Sequence, residues 1–235
     1  MASTATGCLA EKSSADVIIQ IAKPVLRQKK LFLVTKRVFD IVCSFLGLLI
    51  LAIPMMIIAL IITIDSPGAP IFKQERLGIN GKPFMIYKFR SMCLDAEENG
   101  PQWADEQDPR CTHFGQILRR TRLDELPQLY NILRGDMSFV GPRPERAYFY
   151  REFEKYIPGF SNRLIVTPGL TGYAQVYGKY NTTPYDKLKL DLTYIQTYSA
   201  WLDVKLMLMT FKIMFQKENT EGVDEKQTTA IKKES

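Results

Sequence analysis

The sequence predicts an α+β protein, mainly helical, in which a proline-interrupted apolar helix, a small β-hairpin and amphipathic helices suited to a membrane interface surround one compact unit. Three observations carry this reading. No charged side chain occurs from Ile41 to Ile64; two β-prone runs, Ile71–Arg76 and Phe84–Met92, flank the turn Gly78-Ile79-Asn80-Gly81; and apolar residues recur with helical spacing near 126–133, 186–198 and 201–215.

At 235 residues the chain can bury one substantial core. Its formal charge of +6 suits an anionic partner, whether nucleic acid, acidic lipid headgroups or a phosphorylated substrate. No nucleic-acid-binding motif is recognisable, so nucleic acid is not expected. Cys8, Cys43, Cys93 and Cys111 are scattered and form no C-x-x-C pair, which argues against a disulfide framework or a zinc site and for a reducing compartment. The single histidine, His113, excludes His-rich metal sites and most Ser-His-Asp schemes; it lies in a loop-like stretch and reads as an ordinary polar residue. Chemistry must then rest on carboxylates, Lys, Arg or a borrowed metal.

Residues 1–34 read as an N-terminal extension, with a short amphipathic run from Val17 to Leu26, Pro24 within it, and no secretory-signal pattern. Residues 35–65 form the membrane element. Its uncharged core of about 24 residues suffices to span ~30 Å of hydrocarbon. Pro54 near its middle cannot donate a backbone hydrogen bond, so a kink or break is expected there. Lys29, Lys30, Lys36 and Arg37 assign the N-terminal flank to the cytoplasm. A kinked straight span would export everything after Asp65, whereas a hairpin broken at Pro54 would return it to the cytoplasmic face; the residues alone admit both.

Residues 66–217 form the folded unit and 218–235 a polar tail with little to bury. In the second hairpin strand, alternation puts Met85, Tyr87 and Phe89 on one face and Lys88 and Arg90 on the other. Two cations side by side suit a diphosphate, as they also suit a solvated strand face. Asp95–Arg110 reads as a surface loop whose carboxylates do not match calcium-loop spacing. Trp201–Phe215 suits either a membrane interface or a core.

The densest information lies in LRRTRLDELPQLYNILRGDMSFVGPRPE, residues 118–145. Leu126, Leu129 and Leu133 mark an amphipathic helix that Gly135 ends. Pro127 is tolerated only in a first turn, so Asp124 and Glu125 must lie at the helix start, where unpaired N–H groups favour anions. Such a pair can simply cap a helix. Here Arg119, Arg120 and Arg122 crowd the same end, Gly141-Pro142-Arg143-Pro144 presents Arg143 on a stiff segment, and Lys88 and Arg90 supply further cations. An aspartate is already ionised at neutral pH and needs only cations, and usually a divalent metal, to approach a phosphate.

These segments resemble a known family. KRVFD before the apolar run, GKPFMIYKFRSM, LDELPQLYNILRGDMSFVGPRPE, TPGLTGYAQVYG and DLTYIQTYSAWLDVKLMLMT occur in the order and spacing of the monotopic phosphoglycosyl transferases, the bacterial sugar transferases that start exopolysaccharide, capsule and glycan assembly. The match covers roughly Lys36 to Phe215. The resemblance implies a re-entrant helix-break-helix at the cytoplasmic face of the bacterial inner membrane, around Pro54, beside a compact catalytic unit. It implies a UDP-sugar donor, an undecaprenyl phosphate acceptor and Mg2+. Asp124 would attack the β-phosphate, expelling UMP and leaving an aspartyl phosphosugar; Glu125 would assist through the metal, which both carboxylates would hold, or through acceptor positioning. Arg90, Arg119 and Arg143, with Lys88, Gln128 and Glu145, would surround the substrate. Many members carry Trp and then Asn-Gly-Arg where this chain has Tyr173 and then Tyr177-Gly178-Lys179, a departure that bears on sugar choice and leaves the dyad untouched. The extra transmembrane helices of larger relatives are not expected here, and a homodimer is admitted. The competing expectation is a non-catalytic membrane-anchored scaffold for acidic lipids or assembly proteins, with salt-sensitive binding and no turnover of UDP-sugars.

Overall fold

In the computed structural model the described residues are 30–96, 98, 108–178 and 182–214. Most of the expected N-terminal extension, the expected tail, Lys179 and much of the Asp95–Arg110 loop lie outside them.

Helix α1 (Lys30–Asp65) is apolar over most of its length and is the one described helix long and apolar enough to cross a membrane. Its backbone stays helical through Pro54, so the expected break is not an interruption of the helix. One stripe packs on the rest of the protein at every turn. Lys36, Arg37 and Asp40 bond to it, Leu48, Leu51, Met55, Ile58, Ala59 and Ile62 join its hydrophobic clusters, and Asp65 accepts from the Phe114 N–H. The opposite faces expose Leu49, Ile50, Ile53, Met56, Leu60 and Ile64.

Strands β1 (Ile71–Leu77) and β2 (Pro83–Phe89) form the expected antiparallel hairpin. Asn80, with φ 56°, makes the turn in the left-handed region that Asn tolerates. Next comes an element the sequence reading did not assign, having read only the stretch around His113 as loop-like: α2 (His113–Thr121), opened by Thr112, whose hydroxyl accepts from the Gly115 N–H at 3.0 Å. His113 is therefore its first residue. A 3-10 turn, Leu123–Glu125, leads into α3 (Gln128–Arg134), which ends as expected at Gly135 with φ 94°.

Strand β3 (Ser138–Val140) pairs in parallel with β4 (Gly169–Thr171). At the end of this pair Gly141 and Gly169 approach so closely that a Cβ on Gly169 would lie 2.0 Å from the Gly141 nitrogen. Only glycine fits, and the contact fixes how the Pro142–Pro144 segment leaves the sheet. Between the strands lie α4 (Ala147–Tyr156) and a 3-10 stretch, Phe160–Ile165; after them come α5 (Tyr173–Tyr177), α6 (Pro184–Thr197) and α7 (Ala200–Met214).

The interior has three apolar clusters. The largest joins Tyr150, Phe160, Leu188, Tyr194, Ile195 and Leu206 of α4, α6, α7 and the intervening turn. The other two seat the functional region: Ile58, Ile62, Phe89 and Leu118 hold Leu123 and Leu126 on either side of the 3-10 turn, while Ile86, Leu129, Ile132 and Met137 bind β2 to α3. Burying a side chain of this size contributes about 1.5–3 kcal/mol, so the turn carrying Asp124 and Glu125 is fixed from both flanks.

Candidate active site

Arg122 ends α2 in the left-handed conformation, φ 56° and ψ 17°. For a non-glycine residue this costs roughly 1–2 kcal/mol, and it reverses the chain so that Asp124 and Glu125 emerge between α2 and α3. With Leu123 and Leu126 turned into the core, the two carboxylates face Lys88 on β2 and Arg143 on the segment after β3. Glu125 Oε1 accepts from Arg143 Nη2 at 2.6 Å and from Lys88 Nζ at 3.2 Å. Both cations meet the same oxygen, and among the described residues no donor bonds Oε2. Asp124 is 9 % exposed, and no hydrogen bond or ion pair from a described residue reaches its carboxylate.

The two acids are pushed in opposite directions. Burial, and then the charge of Glu125, raise the Asp124 pKa to about 6 against the opposing pull of Lys88, Arg143 and Arg119. Burial would raise Glu125 as well, but Arg143 and Lys88 outweigh it and hold this carboxyl well below the usual range. Burial lowers the Lys88 pKa while Glu125 opposes that shift; Glu125 is the main cause that raises Arg143. The result is one carboxylate bonded by two cations beside another that no described residue bonds.

The remaining expected residues divide into two groups. Arg119, in the last turn of α2, acts on Asp124 through its charge and donates to Cys111 Sγ at 2.9 Å. Gln128 opens α3 with 1 % of its surface exposed, and its Nε2 is buried with no hydrogen-bond partner among the described residues. Glu145 pairs with Arg76 at 3.1 Å and contributes to the field at Arg143. Arg90 departs from expectation: its guanidinium donates to Pro67 O at 2.6 Å and to Ser66 O and Oγ at 2.7 and 2.8 Å, tying the end of α1 to β2. Strand alternation does put Lys88 and Arg90 on one face, but Lys88 reaches the dyad and Arg90 the chain leaving α1. Pro54 lies within α1, which packs beneath the site through Leu48, Leu51 and Met55.

Three features of the site were not read from the sequence. One is the strained Arg122. A second is the wholly buried pair Arg163–Asp191 at 2.6 Å, with Arg163 also donating to the Arg143 carbonyl at 3.2 Å. The third is Asn131, which is fully buried and bonded to the β2 backbone. An asparagine among the leucines of a short helix is a poor helix former, and that was the available signal.

No cluster of three or more acidic, His or Cys side chains suited to a metal occurs among the described residues. The donor set that does exist is the Asp124 carboxylate and Glu125 Oε2. That fits Mg2+, which is usually held by one or two carboxylates, with water and substrate phosphates completing its shell.

The family model described as Bacterial sugar transferase matches residues 31–217. A UDP-N-acetylgalactosamine-undecaprenyl-phosphate N-acetylgalactosaminephosphotransferase of Aeromonas hydrophila is 41% identical over 180 residues, covering 75% of this chain and 43% of the relative. A putative undecaprenyl-phosphate N-acetylgalactosaminyl 1-phosphate transferase of Bacillus subtilis is 53% identical over 134 residues, 57% of this chain and 74% of the relative. A UDP-glucose:undecaprenyl-phosphate glucose-1-phosphate transferase of Caulobacter vibrioides is 41% identical over 191 residues, 78% and 71% of the two chains. Against several relatives, including that of Aeromonas hydrophila, the chain spans only about two fifths of their length. The matched stretch contains α1, the hairpin, the dyad turn and all four groups of the Lys88, Asp124, Glu125 and Arg143 cluster, and on that basis the chain belongs to the bacterial sugar transferase family.

Proposed function

We propose that the protein transfers a sugar 1-phosphate from a UDP-sugar to undecaprenyl phosphate at the cytoplasmic membrane face, with Asp124 as nucleophile. The observation that carries this is the asymmetry of the dyad: a buried Asp124 whose carboxylate no described residue bonds, beside a Glu125 bonded by both Lys88 and Arg143. A group with a pKa of about 6 is still about nine-tenths ionised at pH 7, and the absence of donors on its oxygens leaves it nucleophilic.

In the first step an Asp124 oxygen attacks the β-phosphorus. The bond from that phosphorus to the bridging oxygen breaks, and UMP leaves with the oxygen and its electron pair. The product is an acyl phosphate carrying the sugar. In the second step a phosphate oxygen of the lipid attacks the same phosphorus and displaces the Asp124 carboxylate, giving a lipid diphosphate sugar and the free enzyme. Arg143, Lys88 and Arg119 offset the repulsion between the carboxylate and the diphosphate. Mg2+, when held by Asp124 and Glu125, supplies further charge neutralisation at the diphosphate.

The apolar α1 supports the membrane placement. At 1.5 Å per residue the helix is ~54 Å long, and a straight crossing needs about 20 residues clear of the polar body. The packed stripe leaves no such stretch, which favours a placement with the body at the membrane surface and the exposed face of α1 in lipid. The exposed Trp201, Val204, Leu208 and Phe211 recur on one face of α7 and extend that apolar surface.

The test is UMP release by the full chain in detergent or nanodiscs with Mg2+, undecaprenyl phosphate and a panel of UDP-hexoses and UDP-N-acetylhexosamines. Release that depends on one donor and on Asp124 is expected; no release with any donor, or normal release by Asp124→Asn, contradicts the reading.

A further inference from the structure

We propose that Asn131 is a positioning residue, a ruler that fixes β2 along α3 and so sets the Lys88–Glu125 contact. Asn131 is 0 % exposed. Its Oδ1 accepts from the Tyr87 N–H at 3.0 Å and its Nδ2 donates to Met85 O at 2.7 Å. The sheet has two strands, so these bonds occupy the edge of β2 that β1 leaves free. A single side-chain amide thus replaces one residue of a third strand. A leucine there would avoid the desolvation cost of a buried amide, but would strand the Tyr87 N–H and the Met85 carbonyl.

The consequence for the site is one of register. Lys88 follows Tyr87 directly, and Glu125 lies just ahead of α3. Both ends of their 3.2 Å contact therefore hang from the same clamp. Sliding β2 by one residue would move Lys88 by ~3.3 Å and turn it to the opposite face. Two further clamps close a ring. Arg37 of α1 donates to Ile132 O and Leu133 O, which follow Asn131, at 2.6 and 2.7 Å, and Arg90, the residue after β2, donates to Ser66 and Pro67 just beyond the end of α1. The sequence α1 to α3 to β2 and back to α1 is joined at each step by a side chain bonded to backbone, with Lys88 between the second and third clamps.

The kinetic arm rests on the transferase reading; the clamp itself does not. Asn131→Asp keeps the shape but sets an acceptor against the Met85 carbonyl. It is expected to lower kcat by a factor on the order of 10 to 100, the usual cost of losing a supporting contact. Combined with Lys88→Met it should cost less than about twofold beyond Lys88→Met alone, since Asn131 acts through Lys88. Independent, multiplying losses would overturn the proposal. A zero-length carbodiimide cross-link between Lys88 and Glu125, read by peptide mass spectrometry, reports the contact without any substrate. Its yield should fall at least about fivefold in Asn131→Asp, the loss expected when one clamp residue no longer supports its neighbour; an unchanged yield refutes the ruler even if no UDP-sugar is turned over. If the variant does not fold, hydrogen exchange of the wild-type protein decides. A Tyr87 amide as protected as those facing β1 supports the clamp, and one exchanging as a free edge amide overturns it.

Discussion

Two ionic clusters flank β3, and they are built to opposite rules. At the α1–α7 contact, Asp203 accepts from Lys36 at 2.5 Å and from the Tyr194 hydroxyl at 2.8 Å, while Asp40 accepts from the Phe139 N–H at 3.1 Å. Lys36 also donates to the Val140 carbonyl, which shares the single Tyr194 hydroxyl proton with Asp203. Each acid there is answered. Shortly after Val140 the chain reaches Arg143, which with Lys88 answers Glu125, while no described residue bonds the Asp124 carboxylate. Saturated charges hold elements together; an unsaturated one, kept buried, is available for chemistry. The contrast locates the nucleophile more sharply than the count of nearby arginines does.

The contrast can be broken most directly at its reactive end. Asp124→Asn should reduce turnover by a factor on the order of 10⁴, since it removes the attacking group itself, and steady-state UMP release measures this. At the anchoring end, Lys36→Met should destabilise the fold by roughly 3–5 kcal/mol because a buried Asp203 loses its cation, while the specific activity of the folded fraction stays within about twofold. Thermal melts beside activity assays separate the two, and a catalytic loss without a stability loss would dissolve the distinction. Arg143→Met should cost a factor of about 10² to 10³ in kcat, from lost charge at the phosphate and a released Glu125.

The smallest effects sharpen the comparison through pH. A carboxyl whose folded pKa is raised is penalised when ionised. The penalty is absent below the unfolded value near 3.8 and fully present above about 6. Asp124→Asn should therefore stabilise the protein at pH 7, by up to ~3 kcal/mol if the whole shift were recovered, with the gain shrinking as pH falls and vanishing by about pH 3. In the wild type without added metal, the ionised nucleophile is lost as pH falls through about 6, a limb well above that of an ordinary aspartate. Differential melts of the two proteins across this range read both the sign and the window.

How much of this was legible depended on whether a feature is local. The uncharged run from Ile41 to Ile64, the turn at Gly78–Gly81 and the stop at Gly135 each carry their cause within a few residues, and the structure follows them. Asp124, Glu125, Lys88 and Arg143 could be grouped because Pro127 confines the acids to a helix start and the Pro142–Pro144 segment is stiff. Helix α2 was missed because its cap, Thr112, stands in a stretch otherwise rich in breakers, and β3 and β4 were missed because three-residue strands show no alternation. Arg90 and Asn131 depend on partners far along the chain, Ser66 and Pro67 for one and Met85 and Tyr87 for the other. Spacing within a segment carries no information about those.

The central claim, that Asp124 is the nucleophile, is tested most directly without the acceptor lipid. Full-length protein in nanodiscs is incubated with Mg2+ and its UDP-sugar, and is then analysed by intact mass and by peptide mapping under mildly acidic conditions. The account predicts a burst of UMP matched by a phosphosugar adduct on the peptide containing Asp124, absent from Asp124→Asn and discharged by undecaprenyl phosphate. UMP release with no adduct in the absence of acceptor, or an adduct that persists in Asp124→Asn, would contradict it.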